Sequence, residues 1–462
     1  MKRIGEKSKA AEYLNILRAA PPLFAAAKNM QPPENDTAAV AGCYVLGPAL
    51  SGFVRWVLQN AMEKSVPRLY FLARDGYFMC KAAKAFCARY ALPVECRYLS
   101  CSRYAIRLPL FHLDLSFALD QICSESLSLT LDKILAHAGL HLDERQAVCA
   151  ALPQSVYKTG IVPPDALPTI RRDLANCPLF IDRMNSHSKA AFSTFSGYLK
   201  QEGLLDETPA AIVDSGWVGS MQKTLNTAIR YLQGEKTLEG YYWGLYALPP
   251  DVQREKYHWY FFGPQGNLRR KAHFNNCLFE AVFSAPHGMT LGYRKAGTGY
   301  EPEYAPASEK RAAFLHTMES YLLRFAKEMA DKLESNTFLK ADTNGELLVL
   351  HRLLRSLMCY PSLREAQVFG SLPFTDDVLE DPCIKLAPVF SKAQLRQNRF
   401  ACRLAAAAGV RQDHGPASAW PAASIVQSTE NPRRALRAEI LFQYLRHGHH
   451  SIKQRKEHLN GG

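Results

Sequence analysis

The sequence predicts an α/β protein on a mostly parallel sheet, and two segments of the same build predict it. From Ala211 to Thr224, small and β-branched apolar residues lead into Asp214, Gly216, Gly219 and Ser220 before helix formers take over. That pattern reads as a buried strand, a tight loop and a helix N-terminus. From Arg68 to Tyr90, the apolar run ending at Ala73 suits a strand buried on both faces. Arg74-Asp75-Gly76 is then a turn, and Ala82, Ala83 and Phe86 keep helical spacing. Strand-helix alternation around both segments implies a Rossmann-like sheet, and its absence between them implies a helical insertion.

In order, residues 1–39 are expected to hold one helix, Ala10 to Ala20, and a linker through Pro32, Pro33 and Asn35. Residues 40–104 form the first part of the α/β domain. Leu46, Leu50, Phe53, Val57 and Ala61 give a helix over 40–65 that packs on the strand at Leu69, with Pro48 marking its first turn. Val94 to Ser100 reads as the next strand. Residues 105–205 are the insertion, with helical spacing through Phe180, Met184, Phe192, Phe195 and Leu199, and Gly139 as a helix stop. It separates Asp75 from Asp214 by about 140 residues, far more than one crossover needs, and is placed as a cap over the cleft.

Residues 206–305 complete the α/β domain with aromatic strands at 238–246 and 257–262. Half-buried sheet accounts for Trp243 and Trp259 better than ligand stacking does. Residues 306–388 are helical: Phe314, Met318, Leu322, Phe325, Met329 and Leu333 make one apolar stripe, Leu347 to Cys359 a second helix, and Ser362 with Glu365 a capping box for a third. Beyond Pro388 a dozen Lys and Arg face four acids, and Ala405 to Ala408 is of low complexity. Residues 389–462 therefore read as a basic, mobile tail, a better account of His447, His449 and His450 than a metal site.

The chain of 462 residues is long enough for two or three domains, and 47% hydrophobic with 21% charged residues is ordinary globular composition. A net charge of +13 and a pI near 9.1 favour anionic partners without choosing among phosphorylated ligands, anionic lipid and nucleic acid, the last the least expected. Twelve cysteines without a C-x-x-C pair argue against a metal knuckle or a disulfide framework. The basic stretch Met1 to Lys9 is not followed by a signal-length apolar core. No run approaches the roughly 18 apolar residues of a spanning helix. A cytoplasmic location is expected, with contact at the inner membrane face left open.

In open parallel sheets, ligands sit at the carboxyl edge. The two loops therefore predict a cleft lined by Arg74, Asp75, Gly76, Asp214, Gly216, Gly219 and Ser220, with helix-end amides for a phosphate. An ordinary strand-turn-helix connection would explain the central loop equally well. Glu280 and His287, seven residues apart across a Pro-containing turn, form an acid/base couple if that turn folds over the cleft. A surface histidine and a helix-face glutamate are the simpler account.

Several of these segments resemble one family: Leu46-Gly-Pro, Tyr70 to Gly76, Tyr98 to Arg103, Val213 to Gln222, and Phe279 to Gly288. The family comprises bacterial proteins described as predicted hydrolases of the haloacid dehalogenase (HAD) superfamily, found with surface-polysaccharide biosynthesis genes. The resemblance covers about residues 40–390. In such proteins a dehalogenase-like nucleophile motif lies in a separate N-terminal segment, which this chain is expected to lack. The HAD mechanism also needs a second Asp two residues after the first. Asp214 is followed there by Gly216, and Asp75 by Tyr77. The two loops are also similar to phosphoribosyltransferase ligand loops, although Ser215 replaces a second acid.

That similarity implies Asp214 on ribose hydroxyls and the Gly219 and Ser220 amides on phosphate. Arg74 and Arg103 would face a leaving diphosphate, and Mg²⁺ would come with it, held by Asp75 and Asp214. The candidate catalytic residues are Asp75, Asp214, Glu280 and His287. Candidate substrate or phosphate contacts are Arg74, Gly76, Arg103, Gly216, Trp217, Gly219 and Ser220. The expected function is phosphate handling on a phosphorylated sugar or sugar diphosphate, by transfer or hydrolysis, with a glycosyltransferase or an anionic membrane as partner. A non-catalytic binding or scaffold protein of a glycan-biosynthesis complex is the alternative.

Overall fold

A computed structural model describes residues 8–124, 129–153, 160–233, 237–340, 343–374, 384–407 and 418–460. The first seven residues of the basic N-terminal stretch, and Ala408 of the alanine run, lie outside the described residues. Five strands, β1 (Arg68–Leu72), β2 (Glu95–Leu99), β3 (Ala210–Trp217), β4 (Glu239–Leu245) and β5 (Tyr257–Phe262), form one all-parallel sheet. Their spatial order is β2-β1-β3-β4-β5. The chain runs outward from β1 to β2 and then returns across β1 to β3. Connections from β1 and β3 therefore leave in opposite directions, which opens a crevice at the carboxyl ends of these two strands. Phe71 pairs with Val213, so the end of β1 lies level with Asp214.

Both sheet faces are covered. Leu69, Phe71, Ala211, Val213, Tyr241 and Trp243 point to one apolar cluster, while Tyr70, Leu72, Ile212 and Tyr242 point to another. This is the two-residue period of a strand buried on both sides. Tyr241, Tyr242 and Trp243 are fully buried, so β4 is a central strand and Trp243 has no surface for a ligand.

On the first face lie α1 (Lys9–Leu17), α2 (Pro21–Met30) and α3 (Thr37–Glu63). The expected single N-terminal helix is thus two. Pro21 opens α2, where its missing N–H costs nothing, and Leu23, Ala26, Ala27 and Met30 bury one side of it. The helix α3 begins with a turn of Thr37–Ala41 and a π turn of Gly42–Leu46. Pro48 sits in the first turn of its straight part, Gly47–Glu63.

With 27 residues and a mean hydropathy of 1.5, α3 is long and apolar enough to cross a membrane, against the expectation that no run would be. It serves here as a core helix, with 89% of its most apolar stretch buried inside the protein. Arg55 in its middle is fully buried and pairs with Glu346 at 2.8 Å, while its Nε and Nη2 donate to the Phe338 and Thr337 carbonyls.

Four more helices bear on the crevice, α4 (Gly76–Tyr90), α5 (Arg103–Arg107), α6 (Pro178–Gln201) and α7 (Ser220–Gln233). Among the described residues between β2 and β3 the regular structure is helical, and Leu119, Ile134, Leu135, Phe180 and Met184 give that stretch an apolar cluster of its own. Gly139 adopts φ +86° just after a helix end, as expected of a stop. After β5 come α8 (Asn276–Val282) and an unanticipated antiparallel hairpin, β6 (Thr290–Ala296) and β7 (Gly299–Tyr304). Its Tyr293 is buried on the second face and donates to the Ser100 carbonyl at 2.9 Å. The helices α9 (Glu309–Lys332) and α10 (Asn344–Cys359) follow, then the Ser362–Glu365 capping box.

The basic C-terminal region is not the expected mobile tail. Trp420 is buried and donates from Nε1 to the Met358 carbonyl at 2.8 Å. In α11 (Arg433–Asn460), His447 stacks on Tyr246 with centroids 5.2 Å apart. Apolar anchors spaced far apart hold a segment whose average composition is polar.

Because Arg55 is a fully buried cation paired with Glu346 at 2.8 Å, Glu346→Ala removes a buried counter-charge. The variant should lose about 3–5 kcal/mol of stability in denaturant unfolding. A loss under about 1 kcal/mol would show that the Phe338 and Thr337 carbonyls suffice.

Candidate functional site

Three carboxylates converge where β1 and β3 end. Asp75 closes the loop before α4, Asp214 lies within β3, and Glu280 comes from α8, whose N-terminus is capped by Asn275 accepting from the Leu278 N–H at 2.7 Å. Ser215 Oγ donates to Asp75, and Trp217 Nε1 donates to Glu280. All three carboxyl residues are half-buried.

Their acidities report the crowding. Burial, then the charges of Glu280 and Asp214, push Asp75 well above the usual carboxylate range. Burial also pushes Asp214 up to about 7; Glu280 adds to this, against the pull of the Ser215 and Gly216 N–H groups and of Arg103. Glu280 is raised by burial and pulled back by the Trp217 hydrogen bond and by Arg103, Arg74 and Arg311. Three acids therefore face three arginines in one recess.

His287 stands at the rim. Its Nδ1 lies 2.8 Å from the Gly288 carbonyl, which assigns the proton to Nδ1 and leaves Nε2 to accept from the Tyr98 hydroxyl at 2.8 Å. Burial lowers its pKa, and Arg74 and Arg311 lower it further against the Gly288 carbonyl. The imidazole is therefore neutral. Glu280 and His287 share the field of Arg74 and Arg311 but hold different hydrogen-bond partners.

The loop between β3 and α7 is made possible by glycine. Gly216 has φ +106°, and a Cβ there would lie 2.6 Å from the Gly244 carbonyl oxygen. Gly219 has φ +71°, and a Cβ there would strike the Tyr257 ring at 2.7 Å. Their effect is to turn Trp217 toward Glu280 and to leave Ser220 as the first residue of α7.

Of the residues singled out from sequence, Arg74, Asp75, Arg103, Asp214, Trp217, Glu280 and His287 thus gather around one recess. Gly76 opens α4 beside it. Ser220 points to a neighbouring position, where it accepts from Arg107 Nη2 at 3.4 Å. Arg311 and Arg107 escaped sequence reasoning because neither stands in a loop motif. Tyr98 and Ser215 were inside recognised segments, but nothing local marked them as partners of His287 and Asp75. Among the described residues no three His, Cys, Asp or Glu side chains are set to hold a metal ion, His447, His449 and His450 included. No protein-family model matches the chain, and comparison with curated proteins gives no match either.

A carboxyl group whose folded pKa is raised contributes stability below its unfolded value near 3.9, and that contribution is lost as pH rises through the folded value. For Asp214 the window runs up to about 7. Asp214→Asn keeps an oxygen for the Ser215 and Gly216 amides and removes the charge. The variant should therefore melt above the parent protein at pH 8, and the difference should shrink toward pH 4. Earlier melting at both values would mean that Asp214 serves only to hold the turn.

Proposed function

We propose that this chain is a phosphate-handling enzyme acting on a phosphorylated sugar or sugar diphosphate, in bacterial surface-polysaccharide metabolism. One observation carries the reading: Asp75, Asp214 and Glu280 are crowded against Arg74, Arg103 and Arg311 at the carboxyl edge of a parallel sheet, where the chain reverses direction. Arginines in such a recess neutralise phosphate oxygens as charge develops. A carboxyl group titrating near neutrality is suited to take a proton from an attacking hydroxyl or water and to return it to a leaving oxygen. Asp214, at about 7, is that group. Trp217 and Ser215 hold Glu280 and Asp75 in place, and neutral His287 with Tyr98 supplies a polar wall that adds no charge.

The carboxylate of Asp75 suits a Mg²⁺ that arrives on a diphosphate, since such an ion keeps several waters and needs only one or two carboxylates, and Asp214 would join it only in its ionised form, when it is not carrying the proton. Bound there, it would neutralise phosphate charge. Each of the two aspartates already meets a like charge, which a cation would relieve.

A non-catalytic binding or scaffold role is favoured by one feature, glycine and tyrosine standing two residues after Asp214 and Asp75 where a HAD-type mechanism needs an acid. The two readings separate in a thermal-shift screen of sugar phosphates, nucleotide sugars and phosphoribosyl diphosphate, with and without Mg²⁺, followed by turnover assays on whatever binds. The enzyme reading expects a selective shift and turnover. It also expects Asp214→Asn and Asp75→Asn to weaken binding of the same ligand by about 1–3 kcal/mol. Tight binding without turnover of any ligand would establish the scaffold role.

A further inference from the structure

Cys87 and Cys96 bring two free thiols together at the junction of α4 and β2. Their Sγ atoms lie 3.8 Å apart, although nine positions separate the residues and no C-x-x-C spacing announces the pair. Backbone structure holds each sulfur where it is. Cys96 is in register with Leu69 of β1. Cys87 stands in the last turn of α4, and its carbonyl accepts from the N–H groups of Ala91 and Leu92 in the turn that follows. Ala91 has φ +48° there, and the chain folds back toward β2.

The two thiols are not alike. Cys96 is 8% exposed, whereas Cys87 is half-buried and open to a small oxidant. A hydrogen bond from Cys96 favours the Cys87 thiolate and draws its pKa below that of an ordinary thiol, against the effect of burial. The same contact, and then burial, raises Cys96. Lys84, one turn before Cys87, adds a positive charge that acts on Cys96 and on Cys80. Cys80 lies two turns away on α4, and burial pushes its thiol up to about 11. The thiolate is the nucleophile, and a second thiol close by converts a sulfenic acid into a disulfide. One sulfur is therefore ready to attack, and its neighbour is placed to complete the bond.

We propose that Cys87 and Cys96 form a redox-active dithiol that a hydroperoxide closes to a disulfide, with Cys87 attacking and Cys96 resolving. The Cys87 thiolate attacks one peroxide oxygen and the O–O bond breaks. The departing hydroxide takes up the proton that Cys87 had released and becomes water, while Cys87 is left as a sulfenic acid. Cys96 then gives up its proton, its sulfur attacks the Cys87 sulfur, and the S–O bond breaks as hydroxide leaves with that proton as a second water. The sulfurs lose two electrons and the peroxide gains them. The pair lies roughly 16 Å along α4 from the Asp75 turn, so the bond forms without any recess residue taking part.

Peptide mapping of the folded full chain tests this. Trypsin cuts after Arg74, Lys81, Lys84, Arg89 and Arg97, which puts Cys80, Cys87 and Cys96 on three separate peptides. The chain is reduced, freed of reductant, treated with hydrogen peroxide in small molar excess, quenched with catalase, unfolded in N-ethylmaleimide and digested. The expected product joins residues 85–89 to residues 90–97, is lighter than the two peptides by two hydrogens, and is released by dithiothreitol. Cys80 should remain a free thiol, reacting roughly tenfold or more slowly than Cys87. In Cys96→Ser, Cys87 should instead accumulate as a sulfenic acid that dimedone labels. In Cys87→Ser, Cys96 should stay reduced.

Absence of the cross-linked peptide from the folded parent at millimolar peroxide overturns the proposal, and that measurement needs no variant. A cross-link that forms only in urea overturns it too, since the fold would then be holding the sulfurs apart. The same holds if Cys87 is oxidised no faster than Cys80, or if dimedone labels Cys87 equally in the parent and in Cys96→Ser, which would deny Cys96 the resolving role.

Discussion

The shared burial of Asp75, Asp214 and Glu280 at one sheet edge is the constraint on which the rest of this structure depends. Burial first, and then the charge of Glu280 on both aspartates and of Asp214 on Asp75, raises the proton affinity of the aspartates, and the groups would separate if the backbone allowed it. It does not allow it. Asp214 sits inside a strand paired on both sides, with Val213 and Asp214 in register with Tyr241 and Tyr242. Asp75 is fixed between a buried strand and the first turn of α4 and accepts from Ser215. Glu280 is carried by a capped helix and tied to Trp217. The electrostatic cost is met by apolar packing just behind. Trp243, Phe261, Phe274 and Phe279 form a closely spaced aromatic cluster beneath Glu280, with ring centroids between 4.9 and 6.2 Å from Trp243.

Trp217 joins that cluster to the chemistry. Its ring lies 5.5 Å from Phe274 and 5.9 Å from Tyr246, and its indole N–H reaches Glu280. Tyr246 in turn carries His447 of α11 on its other side. A residue of the basic C-terminal region therefore lies two ring contacts from a carboxylate of the recess. Close-packed aromatic rings transmit small displacements because they have little free volume to absorb them. The orientation of Trp217, and with it the hydrogen bond that lowers the pKa of Glu280, is thus coupled through ring packing to the position of α11.

What could be read from the sequence was what is written locally. A run such as Leu69 to Leu72 followed by Asp75 and Gly76, or Ala211 to Val213 followed by Asp214 and Gly216, states strand, turn and helix within about a dozen residues. The register Phe71 to Val213 then brings both acids to the same edge, as parallel pairing requires. Glu280 was visible as a carboxylate near an unusual turn. The α2 helix was obscured by its two prolines, which mark a helix start as readily as a linker. The hairpin of β6 and β7 was missed because its strands carry Arg294, Lys295, Glu301 and Glu303, which blunt the apolar alternation of a strand. Arg311 and Arg107 are legible only after folding, since each acquires its meaning from a neighbour far away in sequence: Ser284 beside Arg311, and the start of α7 beside Arg107.

The distribution of charge also decides how a ligand would approach. Within the recess the acids and arginines balance, so the surplus positive charge of the chain is not located there. One turn along α5 from Arg103, Arg107 is buried with no carboxylate partner among the described residues, and the amide end of α7 adds partial positive charge beside it. Under the proposed function, an anionic group would be drawn to the α5 and α7 side, while the hydroxyl-bearing part of the same molecule would meet the carboxylates of β1 and β3. Hydroxyls donate to carboxylates and phosphates accept from guanidinium and amide groups, so the two halves of the crevice are complementary to the two halves of a sugar phosphate.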